Sequence, residues 1–295
     1  MTKSNTSGDL TATDRKTTGA DLPIGDIIRQ TNNLSAEQVE RVLQYQREHE
    51  LKFGEAAVAM GLAKREDILW ALSQQFQYPY ADARHAMNPE LVVASDPFSA
   101  QAEAFRDIRS HLIMSVLDGS PGRRALAVVS PNTGDGKSFF AANIAFTFSQ
   151  LGARTLLVDA NLRTPRQQEI FRANSSSGLS GILAGKTESS VIRPVEDLPN
   201  LYLLPVGIVP PNPLELAQRP TFELLLKELQ LKFDYIIVDT PAMDQGSDAR
   251  VIASKCGAAL AIGRKGTSQM TALRDVIASL KKTGTHFAGV VTNEY

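Results

Sequence analysis

Eight consecutive residues, Pro131-Asn132-Thr133-Gly134-Asp135-Gly136-Lys137-Ser138, have the types and spacing to grip phosphate. They follow the apolar run Val128-Val129 and precede a helix-like stretch, Phe139 through Leu151, that Gly152 closes. Glycines at 134 and 136 allow successive backbone amides to point into one concavity, and the start of the helix adds its positive end. A lysine placed there reaches the outer phosphates of a nucleoside triphosphate, and the serine after it can hold Mg2+. Gly134, Asp135, Gly136, Lys137, Ser138 and Phe139 are therefore the candidate residues for holding the nucleotide. The usual formula for such a turn begins with glycine six positions before the lysine, and here that position is Pro131.

Two further apolar runs end in a carboxylate, Leu156-Leu157-Val158-Asp159 and Ile236-Ile237-Val238-Asp239-Thr240-Pro241. In α/β proteins the carboxyl ends of the strands form the ligand edge of the sheet. An aspartate at such a place can merely cap a turn or a helix. Two of them beside a phosphate turn point to Mg2+ coordination or to orienting a nucleophile, because this hard cation prefers oxygen ligands and a triphosphate supplies the others.

The elements that must position these residues are read from hydrophobic patterning. Continuous apolar runs at 125–130, 155–160, 201–206, 235–240, 258–263 and 287–292 read as strands covered on both faces. Helix-like stretches near 99–117, 138–151, 220–231 and 268–283 separate most of them. The expected fold class is α/β, a doubly wound, mostly parallel sheet, with a small helical domain ahead of it.

The chain reads as four stretches: a disordered tail over 1–20, a helical module over 21–80, a linker over 81–98 and the nucleotide domain over 99–295. The tail is rich in Thr, Ser, Asp and Gly without apolar periodicity. The helical module contains a repeat, since Gly25, Val39, Leu43 and Gln46 recur 29 positions later as Gly54, Ile68, Leu72 and Gln75. Pro79, Pro89 and Pro97 mark the linker, each lacking an amide donor and biasing its predecessor away from helix. The formal net charge of -1 gives no electrostatic basis for binding a nucleic acid polymer. One cysteine, Cys256, allows no disulfide framework and suits a reducing, cytoplasmic compartment. No apolar run approaches the ~20 residues that a membrane span requires, so work at a membrane would require a partner as anchor.

The motif set, in this order, resembles the bacterial tyrosine kinases of exopolysaccharide biosynthesis, most closely the chain-length determinant protein tyrosine kinases of the EpsG type. The resemblance covers about residues 99–295. Three nucleotide motifs of that family stand here as Pro131 to Ser138, Asp159-Ala160-Asn161-Leu162-Arg163 and Asp239-Thr240-Pro241-Ala242. Glu103, Arg106 and Arg109 match a helix that joins subunits into a ring in relatives, and Pro210-Pro211-Asn212-Pro213-Leu214-Glu215-Leu216 is another family-like stretch. The resemblance implies a P-loop NTPase fold and transfer of the γ-phosphoryl group of ATP to a tyrosine, mainly on a neighbouring copy. It implies ATP and Mg2+ as cofactors, with Lys137 and Asp159 catalytic and with Ser138, Asp239 and Asp159 around the metal. It also implies an integral membrane chain-length determinant that recruits the chain to the inner membrane, and self-association through Glu103, Arg106 and Arg109.

Some residues depart from the family pattern. Asn161 stands where the middle motif has a second carboxylate, which bears on catalytic rate more than on ATP binding, and Ala242 replaces a proline. In place of a tyrosine cluster the sequence given closes on Asn293-Glu294-Tyr295, which makes Tyr295 the favoured acceptor over Tyr45, Tyr78, Tyr80, Tyr202 and Tyr235. A partitioning-type ATPase would carry a signature lysine where Asn132 stands, and an ATP-bound scaffold without kinase activity is the other rival reading. The stretch from Lys52 to Gln75 resembles the N-terminal module of type II secretion and pilus assembly ATPases, which implies helical docking onto a partner or binding of cyclic di-GMP.

Overall fold

The computed structural model describes residues 23–64, 67–68, 70–71, 73, 88–118, 125–173, 175–186, 190–196 and 198–294. The expected tail, and the residues Leu72, Gln75, Tyr78, Tyr80 and Tyr295, lie outside the described residues. The chain divides into two compact units, one ending at 78 and the other beginning at 79.

The first unit is built from helices Ile24–Thr31, Ala36–His49 and Phe53–Ala59. Ser35 starts the second of them with a reciprocal cap: its hydroxyl accepts from the Gln38 amide at 3.2 Å, and its own amide donates to the Gln38 side chain at 2.8 Å. Ile27, Ile28, Leu34, Val42, Ala56 and Ala57 form the core, with Phe53, Ile68 and Trp70 packed against it. The repeat has a packing reason at its glycines. Gly25 lies under the Phe53 ring, and a Cβ on Gly54 would come within 2.9 Å of Ile68 Cγ2. Gly54→Ala is therefore expected to destabilise this unit by about 1–3 kcal/mol through overpacking. Urea unfolding of the full chain measures it, and an unchanged midpoint would show that Ile68 moves aside freely.

The second unit is a seven-stranded sheet in the order β3-β4-β2-β5-β1-β6-β7. The strands are β1 Ala125–Val129, β2 Thr155–Asp159, β3 Arg193–Pro194, β4 Leu201–Leu204, β5 Tyr235–Asp239, β6 Gly257–Arg264 and β7 His286–Asn293. All neighbours pair in parallel except the two-residue edge strand β3. β1 and β2 are buried at every position, as parallel strands covered on both faces must be. Helix Lys137–Ser149 is apolar nearly all round and buried along almost its whole length, so it forms part of the core beneath the sheet. The β2–β5 register sets Asp159 directly beside Asp239, and the β1–β5 register brings Val128 beside Asp239.

Residues 88–98 are not a linker. Val92–Ser95 form a short helix, with Leu91, Val93 and Ala94 buried in the same cluster as helix Lys137–Ser149. The buried Asn143 explains the attachment, because its side chain accepts from the Val93 amide at 3.1 Å and donates to the Glu90 carbonyl at 2.7 Å. Pro89 and Pro97 thus bracket a docked segment of the nucleotide-binding unit.

Candidate functional site

Between β1 and helix Lys137–Ser149 the chain makes the glycine turn read from the sequence. Gly134 and Gly136 have φ of +86° and +96°, a region that side chains other than glycine rarely enter. Lys137 is buried, and its Nζ donates to Ser130 Oγ at 3.0 Å. Asp135 is fully buried and braces the turn: Oδ2 accepts from the Asn132 amide at 2.8 Å, and Oδ1 accepts from Ser268 Oγ at 2.7 Å. Its side chain is thereby committed to the fold of the turn, leaving main-chain groups to face a ligand. Asn293, at the end of β7, donates from Nδ2 to the Asp135 carbonyl at 3.1 Å. A Cβ on Gly136 would sit 2.2 Å from that nitrogen, so Gly136→Ala must displace Asn293 as well as strain its own backbone. We expect ADP affinity to fall about tenfold, from ~1–2 kcal/mol of strain at such a position; titration calorimetry would show it, and unchanged affinity would mean the turn tolerates the methyl.

The two strand-end carboxylates lie behind the turn, both fully buried. Asp159 accepts from the Asn161 amide at 3.1 Å on Oδ1 and from the Gln167 amide at 3.0 Å on Oδ2. Burial, and then the neighbouring Asp239 charge, push its carboxyl well above the ordinary range. Asp239 is pushed up by burial and drawn back by Ser138, Gln167 and the Lys137 ammonium. Burial lowers the Lys137 pKa, while Asp239, Asp135 and Asp244 act to keep it charged. Asp239 Oδ2 accepts from Gln167 Nε2 at 2.8 Å, whereas Oδ1 is buried and makes no hydrogen bond of ordinary geometry among the described residues, the Ser138 hydroxyl being the group that steadies the carboxylate. A buried, unpaired carboxylate oxygen beside a serine hydroxyl is the donor set that a hard divalent cation takes, so Ser138 and Asp239 fit Mg2+. Asp159 differs, because both its oxygens already hold main-chain amides.

Residues 126–295 match the family described as the CobQ/CobB/MinD/ParA nucleotide binding domain. The tyrosine-protein kinase CpsD of Streptococcus pneumoniae is 33% identical over 172 residues, covering 58% of this chain and 76% of its own length. The tyrosine-protein kinase wzc of Salmonella typhimurium is 30% identical over 204 residues, 69% of this chain but only 28% of that much longer protein. The kinase domain of the Escherichia coli tyrosine kinase ETK superposes with a TM-score of 0.65 at 30% identity, covering 71% of this chain and 82% of that one. The chain belongs to the bacterial tyrosine-protein kinases.

Several residues of this kinase's site have no motif to announce them. Asp244 holds the turn from the loop after β5, accepting from the Thr133 amide at 2.9 Å. Ser268 holds it from the loop after β6, Asn293 from β7, and Gln167 bridges the carboxylates to the first turn of the helix. For Asp244 and Ser268 the sequence signal is position, close after the end of a strand, whereas Asn293 ends β7 and Gln167 begins a short helix. Arg163 of the middle motif forms an ion pair with buried Asp248 at 2.9 Å, tying the loop after β2 to helix Asp248–Cys256.

On helix Ala100–Ser115 the three residues expected at a subunit contact are engaged within the chain. Arg106 pairs with Glu103 and donates to the Pro97 carbonyl, and Arg109 donates to the Thr147 carbonyl at 2.7 Å. That helix also walls a cavity of about 260 Å³ beside Gly136, lined by Phe105, Phe139, Phe140 and Val291 with Thr292 and Asn293 at the end of β7. Phe139, expected at the nucleotide, thus faces this cavity. Among the described residues no helix is long and apolar enough to cross a membrane.

Proposed function

We propose that this kinase transfers the γ-phosphoryl group of ATP to tyrosine hydroxyls, on copies of itself first, and so regulates exopolysaccharide chain length and export. The observation that carries the reading is the convergence of a glycine turn, one buried lysine and a buried carboxylate with an unpaired oxygen on a single edge of the sheet. The amides of the turn and the Lys137 ammonium stabilise charge on the outer phosphates, where a preorganised donor counts most because no solvent has to reorganise. Ser138 and Asp239 hold Mg2+, which when bound neutralises charge on the phosphate oxygens. The aromatic cavity beside Gly136 receives the base.

Asp159 is the acceptor for the tyrosine proton, a role supported by its place at the carboxyl edge of the sheet directly beside Asp239. Its burial requires the segment from Asn161 to Gln167 to open before a tyrosine can approach. An integral membrane chain-length determinant is the partner that brings the kinase to the inner membrane, and copies associate through the side of helix Ala100–Ser115 that carries the exposed Glu103.

The test is mass spectrometry of the full chain after incubation with Mg-ATP and the cytoplasmic segment of its membrane partner. Phosphotyrosine in the wild type and about 10²–10³-fold less in Lys137→Met is the expected result. Absence from both overturns the proposal, and phosphate release without phosphotyrosine would replace it with a partitioning-type ATPase.

A further inference from the structure

A tyrosine has to reach Asp159 past the segment 161–167, and the ties that hold this segment down differ along its length. Arg163 is paired at 2.9 Å with Asp248, whose side chain is 3% exposed, so that end is anchored in the core. Arg166 is paired at 2.8 Å with Glu90, and both are open to solvent, at 48% and 35%. An exposed pair contributes little and is easily traded for another partner. Arg166 also stands close to the chemistry, one position before Gln167, whose amide holds Asp159 Oδ2 at 3.0 Å. Its charge is felt at the second carboxylate: burial raises the Asp239 carboxyl, and Arg166 follows Ser138, Gln167 and Lys137 among the groups that draw it back.

A tyrosine at Asp159 brings its chain neighbours, about 3.8 Å away along the backbone, beside an arginine whose partner can be displaced. The group that a guanidinium takes best is a carboxylate, in a two-bond fork. The six tyrosines of the sequence divide on this point. Tyr45, Tyr78, Tyr80 and Tyr202 follow Gln44, Gln77, Pro79 and Leu201, none of them acidic. Tyr235 follows Asp234, but it is a residue of β5 packed on Phe148, and the Asp234 carboxylate is spent on the Arg154 amide at 2.8 Å. Tyr295 follows Glu294, which pairs with Lys265 at 3.0 Å. Both side chains of that pair are mostly in solvent, so it too is easily given up.

We infer that Arg166 selects the acceptor, exchanging Glu90 for the acidic residue immediately before the tyrosine, so that a neighbouring copy offers Tyr295 through its Glu294. The exchange takes Arg166 off its anchor and loosens the exposed end of the segment over Asp159 as the substrate arrives. Arg166 is then a specificity-determining residue, and tyrosine preceded by a carboxylate is the substrate class. The inference rests on the phosphoryl transfer proposed above.

The test uses full chains in two roles, under the incubation already described. The kinase carries Tyr295→Phe, the acceptor carries Lys137→Met, and phosphate on Tyr295 of the acceptor is counted by mass spectrometry. With Arg166 intact in the kinase, adding Glu294→Lys to the acceptor is expected to lower that phosphate about tenfold, the change that one charge-assisted contact brings. A kinase with Arg166→Glu is expected to invert the preference, and one with Arg166→Met to bring the two acceptors within twofold of each other. Inversion is the readout that a merely structural arginine would not give, since a damaged kinase loses activity on both acceptors alike. If the Arg166 kinase phosphorylates both acceptors within twofold, the inference is overturned, as it is by an Arg166→Glu or Arg166→Met kinase that keeps the tenfold preference. Phosphotyrosine confined to other positions of the acceptor overturns it as well. Should Arg166→Glu fail to fold, Arg166→Met against the Arg166 kinase still decides. No phosphotyrosine on any acceptor overturns the phosphoryl transfer itself, a result distinct from phosphate placed without preference.

Discussion

Lys137→Met is expected to lower tyrosine phosphorylation by about 10²–10³-fold, the loss that follows removal of one preorganised donor from developing phosphate charge. The ammonium is buried, held by Ser130 Oγ at 3.0 Å, and surrounded by Asp239, Asp135 and Asp244, which favour its charged form against the cost of burial. That arrangement places a positive charge at the turn before any nucleotide arrives, so little reorganisation is needed when the triphosphate binds. Methionine has nearly the same length and volume and no charge. It opens no cavity, but it leaves the buried Asp239 and Asp135 without their counter-charge, so the fold should stand with a lowered melting temperature. The measurement is phosphotyrosine formation beside a thermal melt of the same preparation. A folded variant that retains more than a tenth of wild-type phosphorylation would show that the turn's amides suffice and that Lys137 is not part of the machinery.

The strands and the turn were legible because their signals are local. Continuous apolar runs such as Leu126–Val129 and Ile236–Val238 can only be buried on both faces, and a glycine turn between strand and helix admits few alternatives. The braces of the turn were not legible. Asn293 reaches Asp135 across 158 positions of chain and Ser268 reaches it across 133, and a lone Asn or Ser carries no periodicity to announce such a contact. The helices Gln167–Ile170 and Leu179–Leu183 are too short for a 3.6-residue pattern to emerge, so the loop that covers both carboxylates reads as featureless. Pro89 and Pro97 made 81–98 look like a spacer, whereas the docking of 88–98 rests on the side chain of buried Asn143 and on Leu91, Val93 and Ala94, which carry no local pattern. Asn161 reads in sequence as a carboxylate lost. In three dimensions its Nδ2 donates to the Thr164 carbonyl, a bond that a carboxylate cannot make.

Asp239→Asn should separate stability from activity in opposite directions. Asp159 and Asp239 face each other across β2 and β5, both buried and both pushed upward, foremost by burial. A carboxyl whose pKa is higher in the folded chain than in the unfolded one stabilises the fold only while protonated, so that contribution is lost as pH rises from ~4 through the raised value. Asparagine at 239 removes one of the two charges while its side-chain oxygen can still accept from Gln167. Without Mg2+ at pH 8 the variant is expected to melt at least about 2 °C above the wild type, a shift corresponding to ~1 kcal/mol in a domain of this size. The gap should close toward pH 4, where the wild-type carboxyl is itself protonated. Mg-ADP should then raise the wild-type melting temperature and scarcely move the variant, because the unpaired Oδ1 that would meet the cation is gone. Phosphorylation should fall about a hundredfold or more, from loss of several kcal/mol of metal-borne charge stabilisation. If the variant instead melts below the wild type at pH 8 without metal, the buried pair is a source of stability, and its unpaired oxygen is no mark of a cation site.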